Sequence, residues 1–316
     1  MMNFIQGHHH ITLCVGSAQE DYDFHTKLLG LRSVKKTVLF DGKTPIYHLY
    51  YGNETGEPST LVTTFPFRQA GFKGRKGTGQ IKILALSVPH ASLDFWTERL
   101  RKSGHQVERQ TRFDEQRLHF EHPCGIEYEL VGCDEDARKP WTMPETPATV
   151  AVRGVHSITV SVKEIAEPGE FMGIAFGFRK TAQDGAYTRY EAQEGGSSRI
   201  VDYVAEPEVP QGSWIFGEGT IHHCAFGVTD SKQQLAFKDY VEGLGYTDIS
   251  DVKDRKYFYS VYVRTPGGAL FEAANSTAES FLIDESAENL GKEFQLPPWY
   301  EDRRKELIAA LEPLHY

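Results

Sequence analysis

The chain repeats itself, and that repetition restricts its possible folds more than any other property it has. HHITLCVGSAQEDYDFHTKLLGLRSVKKT, from His9, parallels HSITVSVKEIAEPGEFMGIAFGFRKT, from His156. Both read as an alternating strand, a helical stretch, and a second strand entered through Gly-Leu-Arg or Gly-Phe-Arg. GQIKILALSVPHASLDFWTERLRKSGHQV at 79–107 parallels GTIHHCAFGVTDSKQQLAFKDYVEGLGYTD at 219–248. In each, an alternating strand precedes an amphipathic helix closed by Gly104, or by Gly243 and Gly245. A hairpin follows, ending in EHPCGIEYEL at 121–130 or RTPGGALFEA at 264–273, with a turn between strands rich in β-branched and aromatic residues. The unit is therefore β, α and about three further strands, present four times with two copies in each half. The predicted class is α+β, built from βαβββ modules that curl into cups.

At 316 residues the chain is long enough for two domains, each with a core. The modules divide into a first pair at 1–131 and a second pair at 154–275. Between them, 132–153 is acidic and then carries Pro140, Pro144 and Pro147, the composition of a linker. Residues 276–316 fall outside the repeat; a short helix after Pro297 and Pro298 is predicted to strap onto the body through Leu307, Ile308 and Leu311. The net charge of −10 disfavours nucleic acid or an anionic membrane as partner. No run of about 18 apolar residues exists, the N-terminus lacks a basic start with a long apolar stretch, and the four cysteines form no CxxC. The expectation is a cytoplasmic protein with free thiols, for which homo-oligomerisation stays open.

The repeat also selects candidate site residues. His10 opens the first strand, His223 lies in the first strand of the fourth module, and Glu272 lies in the last strand after the PGG turn. Two imidazoles and one carboxylate on one face leave three coordination positions free, the arrangement typical of non-haem Fe(II) enzymes that activate O₂. Their repeat counterparts are Ser157, Ile83 and Glu129, a set that cannot hold a divalent ion well. One metal cup made from modules one and four is therefore expected, beside a vestigial cup from modules two and three. His156 competes with His10, but it aligns with His9, one position off, and adjacent strand residues face opposite ways. The same parity turns His9 and His222 away from the metal unless a bulge brings them in to support the ligands.

Arg255 and Tyr262 flank the final hairpin, where they could hold an oxyanion or phenolate at the open face. Thr12, two residues beyond His10, shares its face. A solvated loop arginine, a barrel-wall tyrosine and an ordinary strand threonine stay open as alternatives on the residues alone. Other signals fail. GFKGRKGTG at 71–79 lacks the order of a P-loop and reads as a flexible inter-strand loop, no GxGxxG follows a strand, and no GxSxG is present. Cys224 should point away from its neighbour His223, which excludes a Cys-His nucleophile pair.

Four βαβββ units with this ligand set resemble the vicinal-oxygen-chelate superfamily of glyoxalases, bleomycin-resistance proteins and extradiol dioxygenases. VKKTVLFDGKTPIYHLYYGNETGEPSTLVTTFP at 34–66, RGVHSITVSV at 153–162, IHHCAFGV at 221–228 and YVRTPGGALFEA at 262–273 resemble, more narrowly, the hydroquinone and chlorohydroquinone ring-cleaving dioxygenases. That resemblance covers nearly the whole chain and is weakest in the tail. It implies Fe(II) on His10, His223 and Glu272, with active-site neighbours at His9, Thr12, His222, Arg255 and Tyr262. It further implies a diphenol and O₂ as substrates and a 4-hydroxymuconic semialdehyde-type product. Tyr259 stands where relatives often carry an acidic residue, which bears on substrate preference. The competing readings are an extradiol catechol dioxygenase, and a glyoxalase-type lyase or isomerase. The latter needs a fourth ligand, and Glu129 lies in the wrong cup to supply it. A drug-sequestering module without chemistry is disfavoured by the intact triad.

Overall fold

In the computed structural model, which describes residues 4–39 and 45–316, each repeat becomes one module of the predicted type. Residues 1–3 of the opening segment and 40–44 of the 34–66 stretch lie outside the described residues. The first module comprises β1 (Gly7–Val15), α1 (Ala18–Asp23), β2 (Arg32–Val38), β3 (Tyr47–Gly52) and β4 (Leu61–Pro66). The second comprises β5 (Gln80–Val88), α2 (Leu93–Lys102), β6 (Glu108–Arg112), β7 (Glu115–Glu121) and β8 (Glu127–Gly132). The third comprises β9 (Gly154–Val162), α3 (Ala166–Phe176), β10 (Arg179–Asp184), β11 (Tyr187–Glu191) and β12 (Ile200–Ala205). The fourth comprises β13 (Thr220–Gly227), α4 (Ser231–Gly243), β14 (Lys253–Asp254), β15 (Phe258–Arg264) and β16 (Leu270–Ser276).

Two curled eight-stranded sheets result, ordered β14-β15-β16-β13-β1-β4-β3-β2 and β10-β11-β12-β9-β5-β8-β7-β6. Each joins a module from one half of the chain to a module from the other: first with fourth, second with third. The antiparallel seams β1–β13 and β5–β9 make these joins. β1 and β9 are buried along their whole length, so both of their faces must be covered. One face looks into a cup. From the other, Ile11 and Leu13 join Leu84, Leu86, Ile158, Val160 and Phe226 in one apolar core, which supplies most of the burial energy.

The two seams carry matching irregularities. Across β1–β13, His8 and His10 face Phe226 and Ala225, while Thr12 and Leu13 face His223 and Ile221. His9 and His222 are thus the extra residues of two β-bulges. Across β5–β9 the extra residues are Lys82 and His156, their repeat equivalents. A bulge resets strand parity, so the face-alternation rule fails at these four positions.

Gly104 follows α2 with φ +88°, a left-handed conformation that glycine adopts without strain and that turns the chain out of the helix. The 71–79 loop is tied down by bridges from Lys73 to Glu218 and from Thr78 to Gln211. Residues 132–153 pack against the body: Arg138 donates to the carbonyls of Ser59 and Val155, and Thr146 is fully buried. In the tail, α5 (Arg304–Ala310) buries Leu307 beside Val38 and Leu296, with Leu311 against them. Ile308 departs from expectation and is 48% exposed. Leu307 and Leu311 are four residues apart on one helical face, whereas Ile308 is rotated about 100° from it. All four cysteines are free. Among the described residues no helix is long and apolar enough to cross a membrane.

Candidate metal centre

β1, β13 and β16 are neighbours in the first sheet, and this adjacency gathers residues more than 200 positions apart in sequence. Thr12 pairs with His223 across one ladder, Ala225 with Glu272 across the next, and Glu272 with Tyr262 across the third. His10, His223 and Glu272, all buried, converge to form a group able to hold a metal ion. His223 Nε2 lies 2.9 Å from Glu272 Oε2, His10 Nε2 lies 3.7 Å from the same oxygen, and the two Nε2 atoms are 3.2 Å apart.

The surroundings hold these three atoms in place. Ser260 Oγ donates to Glu272 Oε1 at 2.6 Å, which leaves Oε2 buried with no hydrogen-bond partner among the described residues. Burial keeps His10 well below its ordinary pKa despite the opposing Glu272 charge, and burial with the Arg255 charge lowers His223 to about 3. Both imidazoles are therefore neutral and offer lone pairs. The bulged His9 and His222 stand behind them in matching fashion: His9 Nδ1 meets His10 Nδ1 at 2.9 Å, and His222 Nδ1 meets His223 Nδ1 at 2.8 Å. If each ligand donates its Nδ1 hydrogen, its Nε2 lone pair faces inward; His9 then carries its own hydrogen on Nε2, 2.8 Å from Ser276 Oγ.

Above the cluster opens a cavity of about 310 Å³ whose described lining includes His10, His48, His222, His223, Arg255 and Tyr262, with Phe65, Phe258, Leu39 and Leu270 as apolar walls. It falls at the small end of the roughly 300–1,000 Å³ usual for small-molecule sites. Arg255 Nε donates to the Tyr262 hydroxyl at 3.3 Å. Burial opposes the Arg255 charge, yet Tyr262 and Glu272 outweigh it and keep the guanidinium ionised. Burial, then the Glu272 charge, raise the Tyr262 phenol above its ordinary value, so it remains a donor. His9 and Thr12 are not among the lining residues; Thr12 Oγ1 sits deeper, 3.0 Å from His223 Nε2. Cys224 points the other way, with Sγ 3.2 Å from His8 Nδ1.

Ser260, His48 and Phe258 escape the sequence reading, as do the cavity walls Leu39, Phe65 and Leu270. Ser260 was accessible in principle, because it lies two residues before Tyr262 on the same strand face and diagonal to Glu272. His48 enters from β3, whose place in the sheet follows only from pairing.

The second cup holds charge pairs instead. Arg112 and Arg117 each donate to Glu129 Oε2 at 2.5 Å, and Arg189 is bidentate to Asp202 and also reaches Glu115. Three guanidiniums thus face three carboxylates where the first cup has its cluster. His156 belongs to this network, with Nε2 3.4 Å from Glu115 Oε1. His156→Ala is accordingly expected to leave the metal content equal to wild type, measured by elemental analysis of purified protein.

Among the described residues, Asp21, His25 and His122 also bring ligand atoms within 4.8 Å of one another. Part of this group is hydrogen-bonded without an ion, although Asp21 Oδ1 and His122 Nε2 have no hydrogen-bond partner among the described residues. His25 Nδ1 faces the Asp21 carbonyl and must donate, while His122 Nδ1 accepts from the Cys124 amide and so carries its hydrogen on Nε2, 3.3 Å from Asp21 Oδ1.

No protein-family model matches the chain. The chlorohydroquinone/hydroquinone 1,2-dioxygenase of Sphingobium indicum is 47% identical over 311 residues, covering 97% of this chain and 96% of that protein. MhqO of Bacillus subtilis, provisionally named a ring-cleaving dioxygenase, is 35% identical over 97% of this chain and 96% of its own length. Among solved structures, a provisionally named dioxygenase of Bacillus subtilis superposes with a TM-score of 0.92 at 34% identity, covering 99% of each chain. Glyoxalase I of Zea mays superposes at 0.61 with 14% identity, covering 85% of this chain and 92% of that one, a likeness of fold alone. With relatives this similar along nearly their whole length, and a buried two-histidine, one-glutamate cluster at the seam between its first and last modules, the chain belongs to the ring-cleaving dioxygenases of the glyoxalase-like fold.

Proposed function

We propose that the chain opens the ring of a hydroquinone, plain or ring-substituted, with O₂ at a ferrous ion held by His10, His223 and Glu272. The observation that carries this reading is the orphaned Glu272 Oε2, buried and facing two neutral imidazole nitrogens at the floor of a cavity. A buried carboxylate oxygen without a partner is costly and calls for a cation. Three ligand atoms on one face of an octahedron, about 2.1 Å from a metal, are separated by roughly 3 Å. The separations of 2.9, 3.2 and 3.7 Å fit that requirement with little movement. Two neutral nitrogens and a carboxylate also suit iron(II) chemically, and a 47% identical relative is a hydroquinone enzyme.

A ferrous ion held there supplies the electron transfer by which O₂ attacks an aromatic ring. The remaining work falls to side chains. Phe258, Phe65, Leu39 and Leu270 give a planar ring flat apolar walls and keep water away from it. The Arg255 guanidinium sets a positive potential in the cavity that favours ionisation of the substrate hydroxyl, and the Tyr262 hydroxyl, still protonated, donates to an oxygen of the reacting substrate. His9 and His222 hold the ligand imidazoles in the tautomer that ligates. Both oxygen atoms enter the product, so hydroquinone plus O₂ balances to 4-hydroxymuconic semialdehyde.

The test is anaerobic reconstitution with Fe(II), followed by air and hydroquinone. The expected result is one O₂ consumed per ring, with growth of the near-ultraviolet semialdehyde band. Uptake with catechol alone would redirect the assignment to an extradiol enzyme. Tyr262→Phe is expected to lower kcat about 100-fold with iron content unchanged, read by oxygen uptake and elemental analysis on one preparation.

A further inference from the structure

We propose that Tyr50, His48 and Thr63 are positioning residues that fix the direction in which Thr12 presents its hydroxyl hydrogen to the metal cluster. The proposal rests on the ferrous reading of that cluster. A continuous line of contacts leads from β3 through β4 and β1 to β13. Tyr50 OH lies 2.9 Å from His48 Nδ1, His48 Nε2 lies 3.1 Å from Thr63 Oγ1, Thr63 Oγ1 lies 2.7 Å from Thr12 Oγ1, and Thr12 Oγ1 lies 3.0 Å from His223 Nε2. All four relay residues are buried, and of them only His48 reaches the cavity wall.

Donor counting sets the direction. The Tyr50 phenol, which burial keeps protonated, meets one acceptor among the described residues, His48 Nδ1. Nδ1 must then hold a lone pair. His48 is neutral, since burial drives its pKa well below the ordinary value, and its one hydrogen therefore sits on Nε2, aimed at Thr63. Thr63 accepts that hydrogen and turns its own toward Thr12, 2.7 Å away. Thr12 accepts in turn, and its hydrogen is left pointing at the metal-facing atom of His223. Once that nitrogen ligates a metal it no longer accepts, and the Thr12 hydrogen is free for an oxygen that reaches it beneath the cavity, beside His223. A hydroxyl alone is free to rotate. Here a tyrosine three links away decides that Thr12 arrives as a donor, pre-aimed at no reorganisation cost during turnover.

The first test reads the tautomer without turnover, by imidazole ¹⁵N NMR of the zinc-loaded, diamagnetic protein. His48 is expected as the Nε2–H form in wild type and as a mixture of forms in Tyr50→Phe. An Nδ1–H form in wild type overturns the proposal. The second test uses the ferrous enzyme. Thr63→Val and Tyr50→Phe should each lower kcat about tenfold with KM within twofold and iron content unchanged, and Thr63→Ser should recover most of the loss. In a Thr12→Val background, neither should have further effect, because their action passes through Thr12. Additive losses in that background, a Thr63→Ser variant as slow as Thr63→Val, or variants equal to wild type would each overturn the relay. Failure of wild type to consume O₂ with any diphenol would instead overturn the dioxygenase reading itself, and is told apart because the tautomer is read independently of turnover.

Discussion

Glu272→Gln is expected to abolish retention of the proposed iron and lower kcat at least 100-fold, while making the metal-free protein more stable than metal-free wild type. The two effects have opposite signs for one reason. Glu272 Oε2 is buried without a hydrogen-bond partner among the described residues, a cost of about 1–3 kcal/mol when no ion is bound. The amide removes the charge that makes this burial costly, so the apo form gains stability; the amide is also a poor metal ligand, so the ion is lost. Wild type should recover and surpass the variant on Fe(II) addition, because a ligand that binds the native state alone stabilises by mass action. Denaturant titrations of both proteins with and without Fe(II), alongside oxygen uptake, check each sign. A metal-free variant less stable than metal-free wild type would show that Glu272 is satisfied without a cation. Its repeat equivalent Glu129 supplies the control: Glu129→Gln should leave iron bound, because that carboxylate answers to Arg112 and Arg117.

Arg117→Met should destabilise the protein by about 3–5 kcal/mol without displacing iron. Arg117 is fully buried and bonded to both Glu129 and Glu115, so its removal leaves carboxylates desolvated and short of charge. Burial opposes ionisation of Glu129, but His119, with Nδ1 3.9 Å away, and the Arg117 and Arg112 charges outweigh it and hold the carboxyl well below its ordinary range. A pKa depressed on folding contributes stability above the unfolded value of about 4.3, and that contribution is lost as pH falls through the folded value. Wild type should therefore lose stability below about pH 4, and Arg117→Met should lose less over the same interval. Arg117→Met combined with Glu129→Leu should recover much of the loss, since apolar groups of similar size can replace a buried ion pair. A double variant no better than the single one would show that packing of the Arg117 stem, rather than its charge, is what matters.

Much of this arrangement was legible from repeats. Aligning four modules identified which strands were equivalent, and the loss of ligand types at Ser157 and Ile83 singled out the pair of modules whose residues His10, His223 and Glu272 do converge. Parity reasoning was sound for Thr12 and Cys224, which lie on the predicted faces. It broke at His9 and His222 because each is the extra residue of a bulge. Backbone irregularity of that kind depends on how two distant strands meet, and no local pattern announces it. Ile308 shows the converse: the tail helix was visible, but which of its apolar residues faces inward depends on where its axis lies.

Periodicity and repetition are properties of neighbouring residues, so the linear chain alone specifies its modules, their equivalence and the ligand types that one pair keeps and the other lacks. Pairing of β1 with β13 is a contact across more than 200 positions, and what depends on it is written nowhere locally. That includes the bulges that set His9 and His222 behind His10 and His223; the ion pairs that fill the second cup depend in the same way on the pairing of β5 with β9. Hydrogen-bond direction and charge balance are collective quantities, and they exist only once the strands have closed around them.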